Sequence, residues 1–459
     1  MAVKFDAVII GTGQSGPSLA GRLAGAGMKV ATIERKRFGG TCVNNGCVPT
    51  KALVASARAA YMSRRCPEFG VEIEGRIAVD MKKVKARKDA IVKRSREGVE
   101  KWLRTMENNT VFEGHGRFEG PHSVRVGSEL LEGDRVFINV GARAFVPPIP
   151  GIETVPCLTN SSMMGVDFLP RHLIVLGGGY IGLEFGQMYR RFGSEVTIIQ
   201  RGPRLASRED EDVSTAIQEI LENEGIRVLT NSGNLRLENR EGGVAVGVDC
   251  AGRRCEVLGS HLLVALGRAP NTHDLGLDQA GIEVDGRGFI QVDDQLRTSV
   301  PGVWALGDCN GKGAFTHTSY NDFEIVAANL LDQDPRRVSD RIRTYALYID
   351  PPLGRAGMTE REVRESGRKA LIATRAMARV GRAIEKGETQ GFMKVVVDAR
   401  NKEILGASIL GVGGDEVVHS ILDVMYAKAP YSVIQRAMHI HPTVTELIPT
   451  LLGDLKPLE

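Results

Sequence analysis

An internal repeat constrains the fold of this chain more than any other feature of its sequence. Residues 5–34 read as strand, glycine turn, helix and strand, and residues 172–200 repeat that order. In each unit the first glycine permits a tight turn, the second lets the backbone approach a pyrophosphate, and the third allows close helix–strand packing. The two turns superpose glycine for glycine: Gly11, Gly13 and Gly16 against Gly177, Gly179 and Gly182. One such turn is a weak signal, but two in register predict that the chain binds two dinucleotides.

The residue that closes each repeat unit differs between the two. Glu34 ends the first unit, where a carboxylate can accept hydrogen bonds from a ribose 2′-hydroxyl, which FAD and NAD both offer. Gln200 takes that place in the second unit, followed by Arg201 and Arg204. Because cations suit a 2′-phosphate, the second unit favours NADPH, with NADH remaining possible. The alternative interpretation is that both arginines are solvated loop charges.

Length and charge narrow the class of protein further. A chain of 459 residues is too long for one hydrophobic core, and its length suggests roughly three domains. The formal charge of +3, from 59 basic and 56 acidic side chains, predicts no nucleic-acid partner. No apolar run approaches ~18 residues, so we expect no membrane span. The strand-like start of the sequence, with no signal or transit pattern, predicts a cytoplasmic location.

Two of the seven cysteines, Cys42 and Cys47, stand in the segment GGTCVNNGCVPTK. Cysteines five apart diverge on a regular helix, but Gly46 and Pro49 favour a distorted first turn in which a disulfide can close. A thiolate near a helix N-terminus has a lowered pKa and is both a nucleophile and an electron donor. A zinc half-site is the alternative, but no second cysteine pair with ligand spacing follows.

The other cysteines carry no recognisable spacing. An odd total is poorly suited to the disulfide framework of a secreted protein. Cys250 and Cys255 bracket a polar turn, and we interpret them as surface thiols rather than as a second redox pair.

The cysteine segment, placed after a glycine turn with Glu34 and before GGGYIGLE, closely resembles the class I flavoprotein disulfide reductases. That family includes glutathione reductase, dihydrolipoamide dehydrogenase and mercuric reductase, and this chain is most similar to its bacterial mercuric-reductase-like FAD-dependent oxidoreductases. The resemblance covers essentially the whole chain. It implies an α/β fold with two Rossmann-like domains and a C-terminal α+β dimerisation domain. The implied division is an FAD domain in two parts (1–150 and 271–342), an NAD(P) domain (151–270) and a dimerisation domain (343–459).

The resemblance also implies roles for individual residues. Cys47 matches the sulfur that faces the flavin, and Cys42 matches the thiol that attacks substrate. Lys51 and Glu184 match an ion pair beside flavin N5, and Tyr180 matches the aromatic gate that moves when nicotinamide binds. FAD contacts are implied for Gly11, Gly13, Gly16, Glu34, Thr41, Lys51, the backbone at His115, and Asp308. Nicotinamide nucleotide contacts are expected at Gly177, Gly179, Tyr180, Gly182, Arg201, Arg204 and Gly267.

The C-terminal segment HPTVTE matches a family motif in which the histidine is the general acid–base for thiol exchange and the glutamate orients it. His441 and Glu446 take these roles here. In the family this histidine reaches the cysteines of the other subunit, so an active homodimer is implied. Thr443 and Glu446 also have the spacing of a capping box that would open a helix over 444–452. The two interpretations are compatible.

The sequence departs from mercuric reductases in two ways. Those enzymes carry a cysteine pair near the C-terminus and commonly replace the acid–base histidine, whereas here no cysteine follows Cys309 and His441 is present. We therefore expect electrons to pass from NADPH through FAD and the cysteine pair to a small disulfide. A metal-ion or quinone reductase is the alternative. A redox sensor is less favoured because it would not need His441. The sequence leaves open whether His317 and Tyr320 tune the flavin or shape the substrate face.

Overall fold

The computed structural model describes residues 2–250 and 252–459. The first sheet has seven strands and carries the first glycine turn. Five of its strands run parallel, with Val3–Ile10 between Val30–Glu34 and Glu129–Ile138. The late strand Val303–Ala305 pairs with Glu129–Ile138, so a distant part of the chain completes this sheet. The remaining strands are Asn109–Glu113, Gly116–Gly120 and Ser123–Val126.

Helices cover the first sheet and supply much of the cavity described below. Val8 and Ile9 are fully buried, as expected for parallel strands enclosed by helices on both faces. The helix Met81–Thr105 buries Val92 and Leu103. The helices here are Ser15–Gly25, Gly40–Asn44, Cys47–Arg65, Met81–Thr105 and Thr316–Ala327. Short helical turns are Cys66–Phe69, Leu277–Ala280, Gly307–Asn310, Ala328–Asp332 and Val338–Asp340.

The second sheet has five parallel strands and carries the second glycine turn. Its order is Arg227–Leu229, Glu195–Ile199, His172–Leu176, His261–Val264 and Cys157–Leu158. Its helices are Asn160–Met163, Tyr180–Phe192 and Glu211–Asn223, with a short turn at Ile152–Thr154. An antiparallel sheet of Ser232–Arg240, Gly243–Cys250 and Arg253–Gly259 lies beside it. The strands Ala142–Ala144 and Arg268–Pro270 pair where the chain enters and leaves this unit.

The two glycine turns have the same geometry, which confirms the repeat. Gly11 has φ +103° and Gly177 has φ +108°, a conformation that side chains disfavour. A Cβ on Gly11 would lie 2.3 Å from the Asn139 carbonyl oxygen, and one on Gly177 would lie 2.4 Å from that of Ala265. Each turn therefore requires glycine at its first position because the next strand passes directly against it.

The third unit is a six-stranded antiparallel sheet with helices packed against it. Its strands in spatial order are Thr344–Leu347, Leu353–Gly357, Ile404–Leu410, Phe392–Asp398, Ala370–Ala376 and Lys456–Pro457. Its helices are Glu360–Glu365, Gly381–Glu385, Gly414–Tyr426, Ser432–Arg436 and Ile448–Gly453, with turns at Met377–Arg379 and Thr445–Leu447. The predicted fold class, two Rossmann-like units and an α+β unit, is confirmed. The boundaries at residues 150, 270 and 342 stay predictions.

Among the described residues, none of the helices is both long enough and apolar enough to cross a bilayer.

Candidate active site

A cavity of about 780 Å³ extends from the first glycine turn to the cysteine pair. That volume lies within the usual range for ligand and cofactor sites. Its walls come from all three units of the fold. They bring together most of the predicted flavin and redox residues: Gly11, Gly13, Glu34, Thr41, Cys42, Cys47, Lys51, His115, Tyr180, Glu184 and Asp308. Gly16 is absent from these walls because it packs inside the helix Ser15–Gly25, where its N–H donates to Asn139.

The cysteines lie on two separate helices, which corrects the expectation of a single distorted first turn. Cys42 belongs to the short helix Gly40–Asn44, and Cys47 is the first residue of Cys47–Arg65. The break falls at Gly46, where a Cβ would lie 2.8 Å from the Thr41 carbonyl oxygen. This close approach folds the chain back and places both thiols on the cavity wall. Both are free thiols in this structure.

Cys47 is the thiol that this site stabilises as an anion. The hydrogen bond from Cys42 lowers the pKa of Cys47 to about 6, with further contributions from Thr316 and the positive charge of Lys51. Burial and Glu184 act in the opposite direction but do not prevail. The Thr316 hydroxyl lies 3.1 Å from the Cys47 sulfur. Cys47 also begins a helix, whose N-terminal dipole favours a thiolate.

Cys42 has the opposite electrostatic character. Its hydrogen bond to Cys47 and its burial raise the pKa of the Cys42 thiol far above the ordinary value. When both thiols are reduced, the negative charge therefore rests on Cys47 and the proton on Cys42. A base must remove that proton before Cys42 can act as a nucleophile.

We expect the reduced holoenzyme to lose Cys47 thiolate as the pH falls through about 6, because its pKa is lowered from 9.0 to about 6. The rate of Cys47 alkylation by iodoacetamide, followed by mass spectrometry, should be constant above neutral pH and fall below that midpoint. In Thr316→Val the midpoint should move upward by about one to two pH units, since a hydrogen bond to a charged group contributes roughly 1.5–3 kcal/mol. An unchanged midpoint in this variant would contradict the role given to Thr316.

Lys51 and Glu184 form the predicted ion pair. The Lys51 ammonium donates to both carboxylate oxygens of Glu184, at 3.0 and 2.9 Å. The ammonium also lies 4.4 Å from the centre of the Tyr348 ring, and the Tyr348 backbone N–H donates to Glu184 at 3.0 Å. Lys51 therefore presents a fixed positive charge at the cavity wall beside the thiols.

The opposite end of the cavity suits the adenosine half of FAD. Glu34 lies at the end of its strand and accepts from the backbone N–H of Thr12 at 3.1 Å. Burial raises the pKa of Asp308, which lies 3.3 Å from Arg268 and can bond a polyol hydroxyl. Within the described chain the buried Nε of Arg268 has no hydrogen-bond partner, so the site still offers a donor. The glycine turn, ribose carboxylate and lining aspartate together fit FAD.

The second glycine turn lies outside this cavity. Gln200 accepts from the Gly178 N–H at 3.0 Å, just as Glu34 accepts from Thr12 in the first unit. Arg201 is exposed, whereas Arg204 pairs with Glu211 at 2.9 Å. The remaining predicted nucleotide residues outside the cavity walls are Gly177, Gly179, Gly182 and Gly267.

His441 is not brought to the cysteines of its own chain. Its ring nitrogen Nδ1 lies 3.1 and 3.0 Å from the two carboxylate oxygens of Glu446, and 80% of its side chain is exposed. The capping-box bonds are also present, with Glu446 N–H donating to Thr443 at 3.2 Å and the reciprocal bond at 3.4 Å. They open the short turn Thr445–Leu447, and the α-helix begins only at Ile448, later than predicted.

The two residues of uncertain role lie in different places. His317 lines the cavity, stacks on Phe315 and contacts the Thr344 carbonyl at 2.7 Å. Tyr320 is exposed on another groove beside Trp102. Sequence reasoning missed Thr316, although its place at the start of a helix within THTSY was a usable signal.

Cys250 and Cys255 are half-buried free thiols on neighbouring strands. The register pairs Cys250 with Arg253 and Val248 with Cys255, so the two cysteines occupy diagonal positions on one face. The interpretation as surface thiols stays a prediction.

Residues 5–322 match the family model for pyridine nucleotide-disulphide oxidoreductases, and residues 344–452 match the dimerisation domain of that family. The chain is 37% identical, over 99% of its length and 100% of the relative's, to a probable pyridine nucleotide-disulfide oxidoreductase, RclA, of Escherichia coli. It is 32% identical to a dihydrolipoyl dehydrogenase of Thermus scotoductus, over 96% of this chain and 95% of the relative.

A more distant relative and the solved structures point to the same family. A mercuric reductase of Bacillus cereus is 31% identical over 91% of this chain and 66% of its own length. The structure of the HOCl-induced flavoprotein disulfide reductase RclA from Escherichia coli superposes with a TM-score of 0.89 at 37% identity, covering 98% of this chain and 99% of that one. A Cu(II) complex of the same protein superposes equally well, with a TM-score of 0.89.

These matches cover nearly the whole chain and agree with the cavity, the repeated glycine turns and the cysteine pair. They confirm FAD and a nicotinamide nucleotide as the cofactors and the C-terminal unit as a dimerisation domain. The chain therefore belongs to the pyridine nucleotide-disulphide oxidoreductases, enzymes that use FAD and NAD(P)H to act on disulfides.

Proposed function

We propose that this enzyme oxidises NADPH and reduces a small disulfide through Cys42 and Cys47, in a homodimer in which His441 of the partner subunit supplies the proton. The observation that carries the proposal is the placement of the two thiols on adjacent helices at the cavity wall, with the Thr316 hydroxyl 3.1 Å from the Cys47 sulfur. This arrangement lowers the pKa of Cys47 and raises that of Cys42, which suits an electron-donating thiolate and a protonated nucleophile that needs a base. Bound FAD supplies the transfer of two electrons from the nicotinamide to the sulfurs.

The disulfide step follows from this arrangement. A base removes the Cys42 proton, and the Cys42 thiolate attacks one substrate sulfur, which breaks the substrate S–S bond and releases one thiolate. The protonated base, which in this proposal is the imidazolium of the partner subunit's His441, gives the proton to that leaving thiolate. The Cys47 thiolate then attacks the Cys42 sulfur, which releases the second half of the substrate as a thiolate and closes the Cys42–Cys47 disulfide. That thiolate takes its proton from solvent. The two electrons taken up by the substrate equal those of one hydride.

The geometry of His441 supports its role as this base. Glu446 holds one ring nitrogen, Nδ1, so the other nitrogen is free to exchange a proton. The imidazole is exposed on the unit that matches the family's dimerisation domain, beside the exposed apolar side chains of Met438 and Ile440. A second copy packed on this surface would bury those side chains and could receive the imidazole in its cavity.

His441→Ala is expected to lower disulfide turnover by about 10²- to 10⁴-fold, the usual contribution of a general acid–base group. Reduction of the flavin by NADPH should stay near the wild-type rate, because that half of the reaction does not use the imidazole. Stopped-flow measurement of the two half-reactions separates these effects. His439→Ala is the matched control, since His439 lacks the Glu446 contact. An equal loss in both half-reactions would contradict the assigned role.

The preference for NADPH rests on the second repeat unit. The strand Glu195–Ile199 is followed by Gln200 and then by Arg201. Arg201 is exposed and can contact a 2′-phosphate there. Arg204 would exchange its Glu211 partner for the phosphate. Lower turnover with NADPH than with NADH would contradict this assignment.

A second candidate is reduction of a thiophilic metal ion, and it is favoured by the Cu(II) complex of the Escherichia coli relative. Thiolates bind soft cations such as Cu(I). In the described residues of this chain, no group of three His, Cys, Asp or Glu side chains is placed to hold a metal ion. A metal substrate would therefore be held by the cysteine pair with ligands from a second copy or from solution.

The experiment is NADPH oxidation by the purified holoenzyme with glutathione disulfide, lipoamide, cystine, Cu(II), Hg(II) with excess thiol, and a quinone in parallel. Turnover of a disulfide that is lost in Cys42→Ser supports the proposal. Turnover with a metal ion alone, or with the quinone alone, would replace it with the corresponding alternative. Slow oxidation with every acceptor would favour a redox sensor.

A further inference from the structure

Tyr180 lies at the start of the helix that joins the second glycine turn to the cavity. Gly179 ends the turn, and Tyr180 begins the helix Tyr180–Phe192, whose first residues line the cavity wall down to Glu184. A nicotinamide held by the second turn must therefore pass the Tyr180 ring to reach the cavity. What holds that ring decides how readily the passage opens.

The buried carboxylate of Glu209 holds the Tyr180 ring in place. The Tyr180 hydroxyl donates to Glu209 Oε1, and the Tyr345 hydroxyl donates to the same oxygen at 2.8 Å. Glu209 is fully buried. Burial, with the negative charge of Glu209, raises the pKa of the Tyr180 phenol far above its ordinary value and that of Tyr345 to about 12, so both remain donors. Hydrogen bonds to an ionised acceptor are the stronger kind.

The dimerisation unit fixes the carboxylate in place. Arg355, on the strand Leu353–Gly357, is 1% exposed and lies 3.8 Å from Glu209 Oε2. The same guanidinium lies 3.5 Å from Asp210. Lys394, on the next-but-one strand of that sheet, binds Asp210 at 3.2 Å and Asp212 at 2.7 Å. The segment that carries Glu209 is thus clamped by two buried cations.

The carboxylate retains unused bonding capacity. Within the described residues, Glu209 Oε2 and two guanidinium nitrogens of Arg355 have no hydrogen-bond partner. A buried polar atom without a partner is unfavourable, so this arrangement is not the one that stability alone would select. It is instead suited to a carboxylate that exchanges partners when Tyr180 moves away.

We propose that Glu209 is a positioning residue that latches the Tyr180 gate shut, with Tyr345 as the second donor that limits the strength of the latch. The inference rests on the proposed passage of NADPH through this gate and adds what controls it. Opening requires the Tyr180–Glu209 bond to break while Tyr345 stays bound to the carboxylate. Because two phenols share one oxygen, each weakens the hold of the other.

The latch makes the affinity for nicotinamide nucleotide depend on residues that never touch it. The apparent dissociation constant equals the intrinsic constant divided by the fraction of open gate. Removing the Tyr180–Glu209 bond raises the fraction of open gate and tightens nucleotide binding. Removing the competing Tyr345 hydroxyl lowers that fraction and weakens nucleotide binding.

The test measures the dissociation constant of NADP⁺, and of NAD⁺ in parallel, by calorimetry on the oxidised holoenzyme. Tyr180→Phe keeps the ring and removes the latch hydroxyl, and Glu209→Gln keeps the shape and removes the charge. Each should lower the dissociation constant by about three- to tenfold. The double variant should match Tyr180→Phe, because Glu209→Gln weakens only the bond that Tyr180→Phe has already removed.

Tyr345→Phe is the matched control. It removes a hydroxyl from the same carboxylate but should raise the dissociation constant above that of the wild type. Tighter binding in Tyr345→Phe, additive effects in the double variant, or no change in the single variants would each overturn the latch. Thermal unfolding of every variant verifies that the clamp remains folded.

Failure of the latch and failure of the proposed function are distinguishable. If the wild-type protein binds a nucleotide and reduces a disulfide but the variants leave the dissociation constant unchanged, only the latch is wrong. If the wild-type protein binds neither nucleotide, the proposed function and the latch are both wrong.

Discussion

Replacing Cys42 with serine is expected to lower disulfide turnover by a factor on the order of 10³ or more, as loss of a catalytic nucleophile generally does. A serine hydroxyl neither ionises near neutral pH nor forms the mixed disulfide, so substrate cannot exchange electrons with Cys47. Steady-state oxidation of NADPH with the best disulfide substrate measures the effect. Reduction of the flavin by NADPH, measured anaerobically, should persist in this variant.

Cys66→Ser is the matched control for that substitution. Cys66 is half-buried, as Cys42 is, but lies outside the cavity walls and begins a separate helical turn. Its replacement should leave disulfide turnover unchanged. Full disulfide turnover in Cys42→Ser would show that Cys42 is not the attacking thiol. Retained Cu(II)-dependent oxidation together with lost disulfide turnover would show that metal ions take electrons by a route that does not need Cys42.

Gly11→Ala is expected to yield a protein without bound FAD. The positive φ of +103° strains any residue with a Cβ by about 1–3 kcal/mol. The new methyl group would also lie 2.3 Å from the Asn139 carbonyl oxygen, so the turn must open. The displaced backbone no longer forms the pyrophosphate cradle. The flavin-to-protein absorbance ratio of the purified variant measures the loss, and circular dichroism verifies its secondary structure.

Gly177→Ala introduces the same defect in the other repeat unit. Its Cβ would lie 2.4 Å from the Ala265 carbonyl oxygen at nearly the same φ. This variant should keep its flavin and lose nicotinamide nucleotide binding, as measured by calorimetry. Gly179→Ala should also keep its flavin, because no atom lies within 4 Å of its added Cβ and its φ is negative. Normal flavin content in Gly11→Ala would contradict the assignment of the first turn.

Local sequence determined the parts of this protein that depend on neighbours along the chain. The glycine turns could be predicted from spacing alone. At Gly11 and Gly177 a backbone carbonyl oxygen lies too close to where a Cβ would be, so only glycine fits. The fold class was implied by the family resemblance that these turns and the cysteine segment carry.

The arrangement of the cysteines was only partly predictable. Gly46 indicated a distortion, but the sequence did not show whether one helix bends or two helices meet. The structure shows two helices, since Asn45 (φ −151°, ψ 20°) and Gly46 (φ −125°, ψ −118°) both have non-helical backbone angles. The late start of the helix at Ile448 has a similar origin. The capping bonds at Thr443 begin a tighter turn first.

Only the tertiary structure decided which distant residues serve the site. Thr316 reaches Cys47 across 269 positions of sequence, and Tyr345 reaches Glu209 across 136. No periodicity encodes such contacts, because they depend on how separate sheets pack. The division of charge between Cys42 and Cys47 is likewise a tertiary property. Pairwise hydrogen bonds and burial set those pKa values, and both exist only once the three units enclose the cavity.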